Sequence, residues 1–122
     1  FAFLVSRALQ YGASVTSSEL TAASEVRESA RKQLASLTPA GTILCLPTAP
    51  GIAPLRGESL NSLGATRDQI NCACCLGGLA GHPQLNLPLA EVEGSPVGLS
   101  IVAARGEDLT LVAVAKALED RV

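Results

Sequence analysis

The groups able to do chemistry in this chain are few, and the most suggestive fall between Cys45 and His82. Four cysteines stand at Cys45, Cys72, Cys74 and Cys75, and His82 is the single histidine. The C-x-C-C spacing does not match the paired ligands of zinc sites, and adjacent Cys74 and Cys75 cannot readily bridge one another. They read as reduced thiols used as small hydrophobes, which fits a cytoplasmic compartment. A thiol nucleophile would need His82 as its base. Cys75 precedes it by about 10 Å along a continuous helix, too far for a hydrogen bond. His82 reads instead as a bridging side chain at a helix end. Gly77-Gly78 has neither the spacing nor the following helix start of a phosphate loop. The residues call for neither a metal nor a cofactor.

A polar candidate of another kind is Thr48. It lies in Pro47–Pro54, which has three prolines and one glycine in eight residues. Such a stiff loop leaving the end of a central strand is where α/β proteins place ligand contacts. Thr48 is then a pocket wall, or else a hydroxyl that caps its own turn. Asn71, Cys74 and Cys75, on the helix ahead of a hairpin, are further pocket candidates, although core packing is the competing role for both cysteines.

The elements that must position these groups are legible in the spacing. Thr16-Ser17-Ser18-Glu19 is a capping box, followed by Leu20, Ala23, Val26, Ala30, Leu34 and Leu37 on one helical stripe. Glu25, Glu28, Arg31 and Lys32 face the other way as a solvated surface, with Glu28 and Lys32 spaced to pair. Pro39 and Gly41 end that helix, and Tyr11-Gly12 ends an apolar segment before it. Thr42–Leu46 is a continuous apolar run, expected as a strand buried on both faces. Arg56–Gly64 reads as an exposed excursion.

Thr66-Arg67-Asp68-Gln69 predicts a second capping box and a helix through Ala80, stopped by Gly81 and Pro83. Gly77 and Gly78 weaken it, which makes sense if another backbone packs closely there. Leu85, Leu87 and Leu89, then Val97, Leu99, Ile101 and Ala103, each alternate with a period of two. Glu91–Pro96 between them predicts a hairpin loop longer than two residues. Pro83 and Pro88 leave the first of these strands with an unpaired side. Gly106-Glu107-Asp108 opens a last helix that buries Leu111, Val114, Ala115 and Leu118. The result is an α/β layer arrangement with too few strands for such apolar helices.

Composition narrows the function classes. The chain has 122 residues, nine basic and eleven acidic, and a net charge of −2. That offers no basic field for nucleic acid or anionic lipid. No apolar run is long enough to span a membrane. The aromatics are Phe1, Phe3 and Tyr11, so a core must come from Leu, Val, Ile and Ala. The chain holds no methionine and opens on Phe-Ala-Phe-Leu-Val, which reads as an interior segment.

Four motifs occur in order: Leu44-Cys45-Leu46-Pro47-Thr48 with Ala53-Pro54; Gly81-His82-Pro83; Leu87-Pro88-Leu89; and Ser95-Pro96-Val97-Gly98-Leu99 ahead of Arg105-Gly106-Glu107-Asp108. From about Arg7 onward this pattern resembles the C-terminal part of an amidase-signature enzyme. Gly78 departs from it, since the family more often carries Asn there. The resemblance implies an α/β fold in which residues 1–122 are a C-terminal segment of a larger amidase domain, part of a mixed sheet covered by helices. It implies amide hydrolysis by a nucleophilic Ser, a second Ser in a cis peptide and a Lys base. No catalytic residue can be carried over to this chain. Lys32 and Lys116 are its only lysines, both expected on solvent faces, and Ser17-Ser18, its one serine pair, lacks flanking glycines.

The expected partners are a small-molecule amide and the N-terminal remainder of the same protein, with a homodimer as one option. A non-catalytic stand-alone α/β interaction module is the competing reading.

Overall fold

A computed structural model describes residues 2–58 and 64–121. Helices α1 (Ala2–Ser14) and α2 (Ser17–Leu37) lead into strand β1 (Leu44–Pro47). Helices α3 (Gly64–Cys74) and α4 (Leu76–Ala80) follow, then strands β2 (Gln84–Val92) and β3 (Ser95–Val102) and helix α5 (Asp108–Glu119). The three strands form one sheet in the order β1-β3-β2, with both pairings antiparallel. Residues 59–63 of the expected excursion lie outside the described residues.

Direct cross-strand partners share a face, so the register divides the sheet into two. Leu44, Leu46, Gln84, Asn86, Ser100 and Val102 lie on one face, and Cys45, Leu85, Leu87, Leu99 and Ile101 on the other. Helix α5 covers the second face through Leu111 and Ala115, which cluster with Ile101 and Ala103 against Leu85, Leu87 and Val114. Leu34 of α2 and Ala80 of α4 cover part of the first face, packing with Val102, Leu44, Leu46 and Leu76. The stripe expected for α5 is therefore the one that is buried, and Lys116 points to solvent as expected.

Several local expectations hold for the expected physical reasons. The amides of Thr16 and Glu19 complete the capping box: Thr16 N–H donates to Glu19 Oε2 at 2.8 Å, and Glu19 N–H to Thr16 Oγ1 at 3.3 Å. The Thr16 backbone bond, followed by its hydroxyl bond, holds the Glu19 carboxyl below the usual glutamate range. Gly81 ends α4 in the left-handed region at φ 75°. At Gly77 a Cβ would stand 2.7 Å from Gln84 Cβ and 2.8 Å from the His82 carbonyl oxygen, the close backbone approach its presence implied.

Others are corrected. The hairpin turns through two residues, Glu93 and Gly94, because Val92 pairs with Ser95 and Glu91 with Pro96. Both turn residues have positive φ, 51° and 75°, the backbone twist that suits a tight antiparallel connection. Pro96, which made the loop look longer, lies beyond the end of β1, where its missing N–H costs no second ladder. Between Leu87 and Ala90 the register slips, a bulge around Pro88 on the edge strand β2.

The 66–80 helix breaks at Cys75 into α3 and α4, and α3 starts at Gly64. Thr66 therefore lies inside the helix, where it cannot serve as the expected cap. Helix α1 continues past Gly12 to Ser14. Arg31, three residues on, takes Glu28 at 2.9 Å in place of Lys32; as an exposed pair it adds little stability.

The largest departures concern burial. Strand β1 half-buries Leu44 and Leu46 and leaves Cys45 and Pro47 exposed; among the described residues β3 is its one partner. On the α2 stripe only Leu34 is fully buried; Leu20, Val26 and Leu37 are 62%, 68% and 59% exposed. All four cysteines are exposed, so the expected core role of Cys74 and Cys75 does not hold within this chain.

Candidate functional site

The helix pair α2/α4 covers only part of the sheet's first face. Where that cover stops, polar side chains replace apolar ones: Gln84, Asn86 and Ser100 continue the same face, and Thr48 joins them from just past β1. Together with Cys74, Gly78 and His82 they line an open cavity of about 370 Å³. No charged side chain lines it.

The polar groups are wired in one direction. Gly77 N–H donates to Gln84 Oε1 at 2.9 Å, which fixes the orientation of that amide. Gln84 Nε2 then donates to Ala73 O at 3.1 Å and to Ser100 Oγ at 3.3 Å. Ser100 and Thr48 hydroxyls are 2.8 Å apart, and Thr48 donates to Asn86 Oδ1. Each hydroxyl has one hydrogen, so Ser100 donates to Thr48 and the relay runs from Gln84 to Asn86. Asn86 ends it as an acceptor through Oδ1; the residue is exposed, and among the described residues its two Nδ2 hydrogens have no protein partner. Gly98 makes room for this: a Cβ there would collide with Asn86 Oδ1 and come within 2.8 Å of Thr48 Oγ1.

His82 is set by a separate group of bonds. Its Nδ1 lies 3.0 Å from the Ala103 carbonyl, a pure acceptor, so Nδ1 carries the proton. Thr38 Oγ1 lies 3.2 Å from the same nitrogen and gives its own hydrogen to Leu34 O. The ring thus ties the end of α2 to the exit of β3, the bridging role expected of it. Nε2 is left as an acceptor. Among the described residues no fully buried side-chain nitrogen or oxygen lacks a partner. Nε2 makes no hydrogen bond among the described residues, while His82 as a whole is only 9% exposed.

Of the four sequence candidates, Thr48 and Cys74 line the cavity, and Cys74 Sγ lies 3.5 Å from the Thr48 carbonyl it donates to. Asn71 and Cys75 are exposed and stand apart from it. Gln84, Asn86 and Ser100 were not singled out by spacing. Their signal was the polar half of the alternation with Leu85, Leu87, Leu99 and Ile101, a half that would ordinarily face water. No member of the relay sits beside a base: the Ser100 hydroxyl meets only Thr48 and Gln84, and Cys75 is not bonded to His82. Among the described residues no three His, Cys, Asp or Glu gather as metal ligands, and no helix is long and apolar enough to cross a membrane. The site as built can bind and orient an uncharged group.

Comparison with known proteins bears on what such a site serves. A family model described as Amidase matches residues 1–112. "Amidase 1" of Oryza sativa subsp. japonica is 33% identical over 93 residues, which cover 76% of this chain and 21% of that protein. A crystal structure of an amidase superposes on the whole chain with a TM-score of 0.74 at 32% identity, covering 29% of the solved chain. The chain thus spans between a fifth and a third of the length of these relatives.

Proposed function

The chain belongs to the amidase family, and from that premise we propose that it is the C-terminal part of an amide-bond hydrolase of the Ser-Ser-Lys type. In this reading residues 1–122 contribute sheet, covering helices and one wall of the substrate pocket, and the catalytic serines and lysine belong to the preceding part of the same protein. The observation that carries it is the unburied apolar face of α2, where Leu20, Val26 and Leu37 are all more than half exposed. Stripes of this regularity form to be covered, and an amidase sheet completed by further chain would cover them.

The groups present fit a supporting role. Lys32 and Lys116 are exposed on helix surfaces, and neither lines the cavity. Ser17 and Ser18 lie in the exposed first turn of α2. The substrate is a small-molecule amide, seated against the Thr48–Asn86 face while a serine outside these residues attacks its carbonyl. Four unpaired cysteines support a reducing, cytoplasmic setting.

The test is hydrolysis of simple amides by the isolated chain and by the complete polypeptide that carries it. The expected result is no turnover by residues 1–122 alone and clear turnover by the complete protein. Turnover by the isolated chain would place a nucleophile within it and overturn the division of labour. A well-folded, inactive complete protein would favour the interaction module.

A further inference from the structure

Cys72 and Cys75 stand outside the cavity lining and form a C-x-x-C pair at the end of α3, both exposed. The helical backbone runs through to Cys75. Its N–H donates to Asn71 O at 2.8 Å, and its φ of −85° and ψ of −4° stay in the right-handed region. Residues three apart on such a backbone share a face, with Cα atoms about 5 Å apart. That separation lies inside the window of roughly 4.4–6.8 Å that a disulfide requires. The Cβ atoms start about 5–6 Å apart and must close to about 4 Å. The break between α3 and α4 falls at Cys75, where the backbone is able to give.

Geometry sets the other two thiols aside as partners. Cys74 is two residues from Cys72, on the opposite side of the helix, and its Sγ donates to the Thr48 carbonyl at 3.5 Å. It is adjacent to Cys75, a spacing that does not readily bridge. Cys45 pairs with Ile101, on the sheet face away from Gln84 and Asn86.

The two residues enclosed by the pair are the ones through which α3 touches the cavity wall. Ala73 O accepts from Gln84 Nε2 at 3.1 Å, and Cys74 lies against Thr48. Drawing Cys72 toward Cys75 tightens the turn that carries both contacts. We propose that Cys72 and Cys75 are a thiol–disulfide couple, closed by a small-molecule disulfide such as oxidised glutathione and set into the helix that backs the cavity. One thiolate of the pair attacks the oxidant, forming a mixed disulfide and releasing a glutathione thiolate. The second thiolate then displaces the remaining glutathione. The pair loses two electrons and two protons, and the oxidised glutathione becomes two reduced molecules. In a reducing compartment the pair rests as thiols and closes only transiently.

The experiment treats the complete polypeptide with oxidised glutathione, quenches with acid, unfolds it and alkylates whatever thiols remain. Mass spectrometry then reads the tryptic peptide 68–105, which carries Cys72, Cys74 and Cys75. In wild type this peptide should lose about 2 Da and take up one alkyl group, at Cys74, where the untreated protein takes up three. Reduced glutathione should restore all three. Cys72→Ser and Cys75→Ser, substitutions of exposed side chains, should each abolish the mass loss while melting close to wild type. Cys74→Ser should retain it.

Three alkyl groups on the treated wild-type peptide would overturn the proposal. So would a lasting glutathione adduct in place of the mass loss, or a mass loss that needs Cys74. The readout is independent of turnover, so the couple stands or falls apart from the amidase reading.

Discussion

Truncating Ile101 to alanine is expected to cost about 2–5 kcal/mol of stability, the range for removing a large aliphatic side chain from a packed interior. Ile101 is fully buried near the C-terminal end of β3, the middle strand, and is the residue through which the sheet meets Leu111 and Ala115 of α5. Helix α5 packs from one side and β1 and β2 flank the strand, so the cavity cannot readily collapse. Leu109, two residues before Leu111 and on the opposite side of α5, is 85% exposed, and Leu109→Ala should change stability by no more than about 0.5 kcal/mol. Urea unfolding of the three proteins checks both values. Equal losses at the two positions would mean that the α5 interface differs from the one described.

Gly77→Ala is expected to destabilise by about 1–3 kcal/mol, the usual cost of forcing atoms into a filled site. Intrinsic propensity alone argues the opposite, since alanine favours a helix over glycine by about 0.5–1 kcal/mol. Contact decides the sign. The new Cβ would stand 2.7 Å from Gln84 Cβ and 2.8 Å from His82 O, atoms on or next to the backbone that cannot swing aside. Displacing them would also disturb the Gly77 N–H bond to Gln84, the first member of the polar relay.

Gly78 supplies the control. A Cβ there meets nothing within 4 Å, so Gly78→Ala should show the propensity gain alone, about 0.5–1 kcal/mol of added stability. Thermal melts of the two neighbouring variants should move in opposite directions. Movement in the same direction would contradict the close packing of α4 on β2.

What the sequence made legible follows the range over which each constraint acts. The Thr16–Glu19 box, the Gly81 stop and the stripe of α5 are local patterns within one or two turns, and each appears where expected. The two-residue hairpin turn was obscured because Pro96 looks like a loop residue until β1 is seen to stop short of it. Pocket membership was the least legible property. Asn86 meets Ser100 only through the hairpin register, and Thr48 reaches both across 38 and 52 residues of chain. Thr48 and Cys74 could be nominated from their loop and helix, but Gln84, Asn86 and Ser100 looked like the solvent side of alternating strands. The stripe of α2 carries a different lesson. Periodicity reports that a face is made for burial, and nothing among the described residues buries Leu20 and Val26.

On the proposed reading, residues 1–122 shape part of an amidase pocket whose nucleophile lies outside them. Labelling the complete polypeptide with a serine-directed covalent inhibitor, then mapping the modified peptide, tests it most directly. The account predicts a single modified serine preceding residue 1 of this chain, with Ser100 and the other serines of residues 1–122 unmodified. An inhibitor adduct on Ser100, or on any serine within these residues, would contradict it.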